Sequence, residues 1–150
     1  MTKVRSTFLE AARAAAALIG HPAVAAAWDR PSALDDMSVG ALAAHLARAG
    51  VLVRTYLDAT AEASAGPGGT PAATADAPGY YLAFAEQLTA GTAFSAGVVD
   101  RARQGAEAGA PAVAESITAA VADLERTLPG LPDDQVIIVK DGIVLTLDDY

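Results

Sequence analysis

From Ser38 to about Ala59 the apolar side chains Leu42, Leu46, Ala49, Val53 and Tyr56 recur every three or four residues, and Leu52 and Leu57 widen the stripe. That period belongs to an α-helix with one apolar face, and such a helix is stable only when the face is covered by other helices. Ser38, just ahead of the pattern, is placed to accept a hydrogen bond from a free amide of the first turn. The same period recurs twice. Val4, Phe8, Ala12, Ala15 and Ile19 predict a helix from about Thr2 to Ile19, and Val113, Ile117, Val121, Leu124 and Leu128 predict one opened by Pro111 and ended by Pro129-Gly130. Shorter helical stretches are expected at Pro22 to Trp28, Tyr80 to Leu88 and Thr92 to Ala108.

The remaining segments read differently. Residues 62–79 are rich in Ala, Gly, Pro and Thr, which bury too little apolar surface to order themselves, so a flexible loop is expected there. After Pro132 the period changes to that of strands, and QVIIV and IVLTL flanking Lys140-Asp141-Gly142 predict a β-hairpin with a type I′ turn at Asp-Gly. The closing Leu147-Asp148-Asp149-Tyr150 has the acidic character of a helix first turn, and this leads us to expect a truncated chain. The fold class is therefore mostly α, an antiparallel helix bundle with a short C-terminal hairpin, in one domain spanning residues 1–150.

Composition narrows the function. The 53% hydrophobic content overstates the core, because about a quarter of the chain is Ala. The absence of Cys removes disulfides, thiolate metal sites and a cysteine nucleophile, and suits the cytoplasm. A net charge of -8 with no basic stripe opposes binding to nucleic acid or anionic lipid. No stretch approaches the ~18 apolar residues of a membrane span, and the N-terminus lacks a signal-type apolar core.

Few residues are candidates for chemistry. His21, in the break before Pro22, reads as a solvated or capping residue. His45 falls between Leu52 and Ala49 on the helical wheel, inside the arc expected to face the bundle core. An imidazole there is either hydrogen-bonded across the bundle or a metal ligand, since bundles build metal sites from inward-facing side chains. Glu10, Asp58, Glu86, Asp100, Glu115 and Asp123 are carboxylates of the surface type. Gly66-Pro67-Gly68-Gly69 lacks the Lys-Ser or Lys-Thr of a phosphate loop, and no GxSxG elbow is present. Trp28 reads as a core plug, and Arg48 as a surface ion pair or a contact for an anionic substrate.

The stretch Trp28 to Ala59, with Met37-Ser38-Val39-Gly40 at a helix start and Ala44-His45-Leu46-Ala47-Arg48 after it, resembles the N-terminal domain of mycothiol-dependent maleylpyruvate isomerase and its DinB-like relatives. The hairpin and Leu145-Thr146-Leu147-Asp148-Asp149-Tyr150 extend the likeness over nearly the whole chain. The resemblance implies a DinB-like four-helix bundle holding one divalent metal, typically zinc, with His45 as one ligand. It also implies mycothiol as co-substrate and a small electrophile that is isomerised or conjugated. The family's other two ligands belong to a Glu-x-x-x-His motif beyond the counterpart of Tyr150, and the sequence ends before such a motif. A chain of this kind is expected to be metal-poor, with an open groove. The alternative is a non-enzymatic helical module that binds a partner helix or forms a homodimer.

Overall fold

The computed structural model describes residues 1–85 and 92–150. Among the described residues six α-helices are followed by one hairpin: α1 Lys3–Ile19, α2 Pro22–Ala26, α3 Val39–Ser64, α4 Ala77–Phe84, α5 Ala93–Ala106 and α6 Gly109–Thr127, then β1 Val136–Ile138 and β2 Val144–Thr146. The expected Tyr80 to Leu88 helix opens three residues earlier, at Ala77, and its last residues lie outside the described ones. Helix α3 runs past Ala59 to Ser64, so the loop before α4 is shorter than the composition predicts.

Local chemistry explains the helix starts. Thr2, Ser38, Asp76 and Thr92 each accept a hydrogen bond from an amide of the first turn of α1, α3, α4 and α5, and the His21 side chain does the same for α2. A 3-10 turn at Leu128–Gly130 ends α6 where Pro129 and Gly130 predict a stop. The hairpin pairs Val136 with Thr146 and Ile138 with Val144, and Asp141 and Gly142 take positive φ of 62° and 76°; the connection is a 3-10 turn over Lys140–Gly142, in which the Gly142 amide donates to the Val139 carbonyl at 3.2 Å, instead of the expected two-residue type I′ turn. The edge of β1 is closed from α3, where the buried Thr60 hydroxyl accepts from the Ile138 amide at 2.7 Å.

Helix α6 packs against α1 and α3, and α3 packs on its other side against α5. The expected α6 stripe is the observed one: Val113, Ile117, Val121, Leu124 and Leu128 are all buried. The hairpin adds Ile137, Val139, Leu145 and Leu147 to the cluster formed by Leu9, Val53, Leu57, Leu124 and Leu128. Trp28 plugs a second cluster between α2, α3 and α6, and its indole N–H donates to the Ala106 carbonyl at 3.2 Å.

Two apolar faces depart in part from their expected positions. In α1 the expected Ala12 and Ile19 are buried and Phe8 is half-buried, but Arg5 and Leu9 complete the inner face while Val4 is 53% exposed. In the first half of α3 the buried residues are Gly40, Ala41, Ala43, Ala44, Ala47 and Gly50, while Leu46 and Ala49 face outward. The cause is helix spacing. A Cβ on Gly50 would lie 2.7 Å from Ile117 Cδ1, and one on Gly105 of α5 would lie 3.1 Å from the Ala44 Cβ. Neighbours this close admit only small side chains, so the large ones rotate outward.

The tightest of these approaches yields a prediction. A Cβ on Gly40 would fall 2.5 Å from Cε2 of the Trp28 ring, which its hydrogen bond to Ala106 holds in place. Gly40→Ala is expected to cost about 1–3 kcal/mol despite its gain in helix propensity. A urea titration that finds it as stable as the parent would show that Trp28 moves freely.

Candidate functional site

The outward rotation of α1 and α3 leaves a groove of about 500 Å³ between them, open to solvent on one side. Val4 and Phe8 line it from α1, Ala49 and Val53 from α3, and Tyr80, Tyr81 and Phe84 from α4. Helix α4 is brought there by its lead-in loop: the Thr74 amide donates to the Val144 carbonyl at 2.8 Å, and the Val144 amide donates to Thr74 Oγ1 at 3.0 Å. Eight residues are thus presented from the edge of the hairpin, with Asp76 capping them through the Gly79 amide at 2.8 Å.

The C-terminal turn closes one end of the groove. Thr146 Oγ1 donates to the Asp149 carboxylate at 2.6 Å and accepts from the Asp149 amide at 3.1 Å, while the Tyr150 amide donates to the Thr146 carbonyl at 3.2 Å. This is one capped turn of helical type, as the acidic pair predicts. It sets the Tyr150 ring edge-on to Tyr56 at 5.6 Å and to Tyr80 at 6.0 Å between centroids. Burial, followed by the phenols of Tyr56 and Tyr80, pushes the Tyr150 hydroxyl well above its usual pKa, and Arg48 pulls weakly the other way. Burial likewise raises Tyr80, with Tyr56, Tyr81 and Asp141 adding to it. Both phenols are neutral donors near pH 7.

Beneath this turn lies Arg5, only 2% exposed. Its Nε donates to Asp148 at 2.6 Å, Nη1 to the Leu131 carbonyl at 3.1 Å, and Nη2 to the carbonyls of Pro132 and Asp133 at 2.9 and 3.3 Å. A single guanidinium therefore joins α1, the approach to the hairpin and the C-terminal turn.

The residues singled out from the sequence are dispersed. His45 is exposed and does not face the core as the wheel predicts, because the small-residue face of α3 holds that position. It lies one helical turn before the groove-lining Ala49 on α3 and is not itself among the lining residues. His21 is exposed, and its Nδ1 accepts from the Ala23 amide at 3.2 Å, the capping role expected of it. Asp58 and Asp123 both bind Arg54, and these contacts, led by the Asp58 hydrogen bond, raise its pKa further. Glu10, Asp100 and Glu115 are exposed, and Glu86 lies outside the described residues. Among the described residues no three His, Asp or Glu side chains come together as a metal-binding group, so His45 stands as a single donor against the roughly three that a catalytic zinc needs.

Sequence reasoning missed the Arg5–Asp148 pair and the aromatic lining. Charge pattern carries no trace of an ion pair between positions so far apart. The lining had one available signal, the crowding of Tyr80, Tyr81, Phe84 and Phe94 into a short stretch of a chain with only 5% aromatic residues.

Among the described residues no helix is long and apolar enough to cross a membrane. Comparison with family models, with curated proteins and with solved structures returns no match.

Proposed function

We propose that this chain is a divalent-metal-binding enzyme of the maleylpyruvate isomerase and DinB-like type, dependent on a low-molecular-weight thiol such as mycothiol. The groove would hold the small electrophile and His45 would be one ligand of the metal, with zinc the expected ion. The observation that carries the reading is the position of His45, solvent-open and one helical turn from the groove-lining Ala49. A bound divalent cation would supply the activation of a thiol as thiolate near neutral pH. This chain contributes the apolar chamber that limits water around the electrophile, and the neutral Tyr80 and Tyr150 hydroxyls as hydrogen-bond donors.

The test compares zinc bound at equilibrium by the parent chain, by His45→Ala and by His21→Ala. Weak zinc binding by the parent chain, below one ion per chain, that is lost only in His45→Ala is the expected result. Equal zinc in all three, or none in any, overturns the metal reading.

A second reading has its own support. Val4 and Tyr81 line the groove at 53 and 61% exposure, and Leu46 of α3 and Leu82 of α4, the helices that line it, are 39 and 75% exposed. A non-enzymatic module would use this surface to take a partner helix or a second copy of the chain. Sedimentation equilibrium then shows association that rises with concentration and needs no metal.

A further inference from the structure

The chain has one Trp, four Tyr and three Phe, and all of these except Trp28 and Tyr56 line the groove. Tyr80 meets Phe84 at 5.2 Å between centroids, Phe84 lies over Phe94 at 6.3 Å, and Tyr150 stands edge-on to Tyr80 at 6.0 Å, so the rings form one connected aromatic wall that reaches the closed end. Ring faces carry partial negative charge and attract cations, most strongly where water is excluded. One cation of the chain already uses this wall: the Lys140 ammonium rests 5.3 Å from the centre of the Phe94 ring. The volume of about 500 Å³ falls inside the roughly 300–1,000 Å³ of small-molecule sites.

The charged groups of the lining have the same preference. They are Arg5, Asp148 and Asp149. Arg5 gives its Nε to Asp148 and its other nitrogens to three backbone carbonyls, so that this pair is neutral and fully engaged. Asp149 is left over. Its carboxylate accepts from the Thr146 hydroxyl at 2.6 Å, a neutral donor, and among the described residues no Lys, Arg or His stands at ion-pair distance from it. Arg48 and Lys140 are not lining residues, and Lys140 has Asp141 at 3.9 Å. The groove thus carries one uncompensated negative charge, on the turn that also carries the Tyr150 ring, in a chain whose net charge of -8 attracts cations at longer range.

We propose that the groove is a binding site for an aromatic ammonium compound, its ring system seated among Phe8, Tyr80, Tyr81 and Phe84 and its cationic nitrogen at the Asp149 carboxylate beside the Tyr150 ring. An uncharged analogue would forfeit the ion pair and the cation–ring contact, and a carboxylate would meet Asp149 with like charge. The inference does not depend on the metal reading, because none of these residues is a metal ligand in it.

The test is isothermal titration of the full chain with 2-naphthylmethylammonium, in EDTA so that metal plays no part, beside 2-naphthylmethanol and 2-naphthoate. Saturable binding of one ammonium per chain is expected, with the alcohol about tenfold weaker and the carboxylate weaker still. Asp149→Asn keeps an oxygen to accept from Thr146, and it is expected to weaken the ammonium about fivefold while leaving the alcohol unchanged. Tyr81→Ala, at a position 61% exposed, removes one ring of the wall and is expected to weaken the ammonium about fivefold. Absence of saturable binding, naphthoate affinity equal to that of the ammonium, or ammonium affinity unchanged in either variant would overturn the proposal. An equal loss of ammonium and alcohol in Asp149→Asn would also overturn it, because the loss would then follow the shape of the turn and not its charge. Zinc binding that depends on His45 can succeed or fail independently of all of these outcomes.

Discussion

Replacing Arg5 with Met is expected to cost about 3–5 kcal/mol, one of the two largest effects of any single substitution in this chain. The cause is the set of groups left behind. Asp148, 23% exposed, loses its counter-ion, and the carbonyls of Leu131, Pro132 and Asp133 lose their donor in a part-buried pocket that Met cannot satisfy. For a domain of this size each kcal/mol lowers the melting temperature by about 2–4 °C, so thermal unfolding followed by circular dichroism is expected to fall by about 10 °C. Arg5→Lys should recover only part of this, because an ammonium cannot reach the carboxylate and the carbonyls with the geometry of the planar guanidinium. Full stability in Arg5→Lys would show that charge alone matters there. The Arg5→Asp148 bond also anchors the turn that carries Tyr150, so loosening of the aromatic groove is expected alongside the stability loss.

Leu124→Ala is expected to have an effect of similar size, about 3–4 kcal/mol, through a different cause. Leu124 is fully buried, at 0% exposure, and it packs in one cluster with Leu9 of α1, Val53 and Leu57 of α3, and Ile137 and Leu145 of the hairpin. Removing its three outer carbons opens a cavity walled on several sides by different elements, and walls of that kind do not collapse together to fill it. The midpoint of a urea titration should fall with the slope unchanged. A loss below about 1 kcal/mol would show that the hairpin shifts to fill the space, and so is less firmly seated on the helices than its burial indicates.

These two residues mark how far the sequence is legible. Leu124 was readable as core, because it belongs to the regular α6 stripe between Pro111 and Pro129 and the stripe residues are large. Arg5 was not, because its place in the helical period suggests nothing about a carboxylate at Asp148, and a fully buried Arg runs against expectation for its type. In α3 the pattern showed a helix, its Ser38 cap and the core positions Val53 and Leu57, but misplaced the inner face of the first half. Periodicity weighs residues by hydrophobic size, whereas the packed helices select for smallness where they approach most closely, at Gly40, Ala44 and Gly50. The same misplacement carried His45 from the expected core position to an exposed one.

What the amino-acid sequence determined by itself is therefore local. Helix periods, the Ser38 cap, the stop at Pro129-Gly130 and the positive φ at Asp141-Gly142 each depend on neighbours within a few residues, and each is where the sequence places it. What only the tertiary structure decided is which face of α1 and α3 turns inward, the joining of Arg5 to Asp148, and the gathering of Phe8, Tyr80, Phe94 and Tyr150 around one groove. Those outcomes depend on distances between helix axes and on contacts between residues far apart in the chain, quantities that no local period encodes.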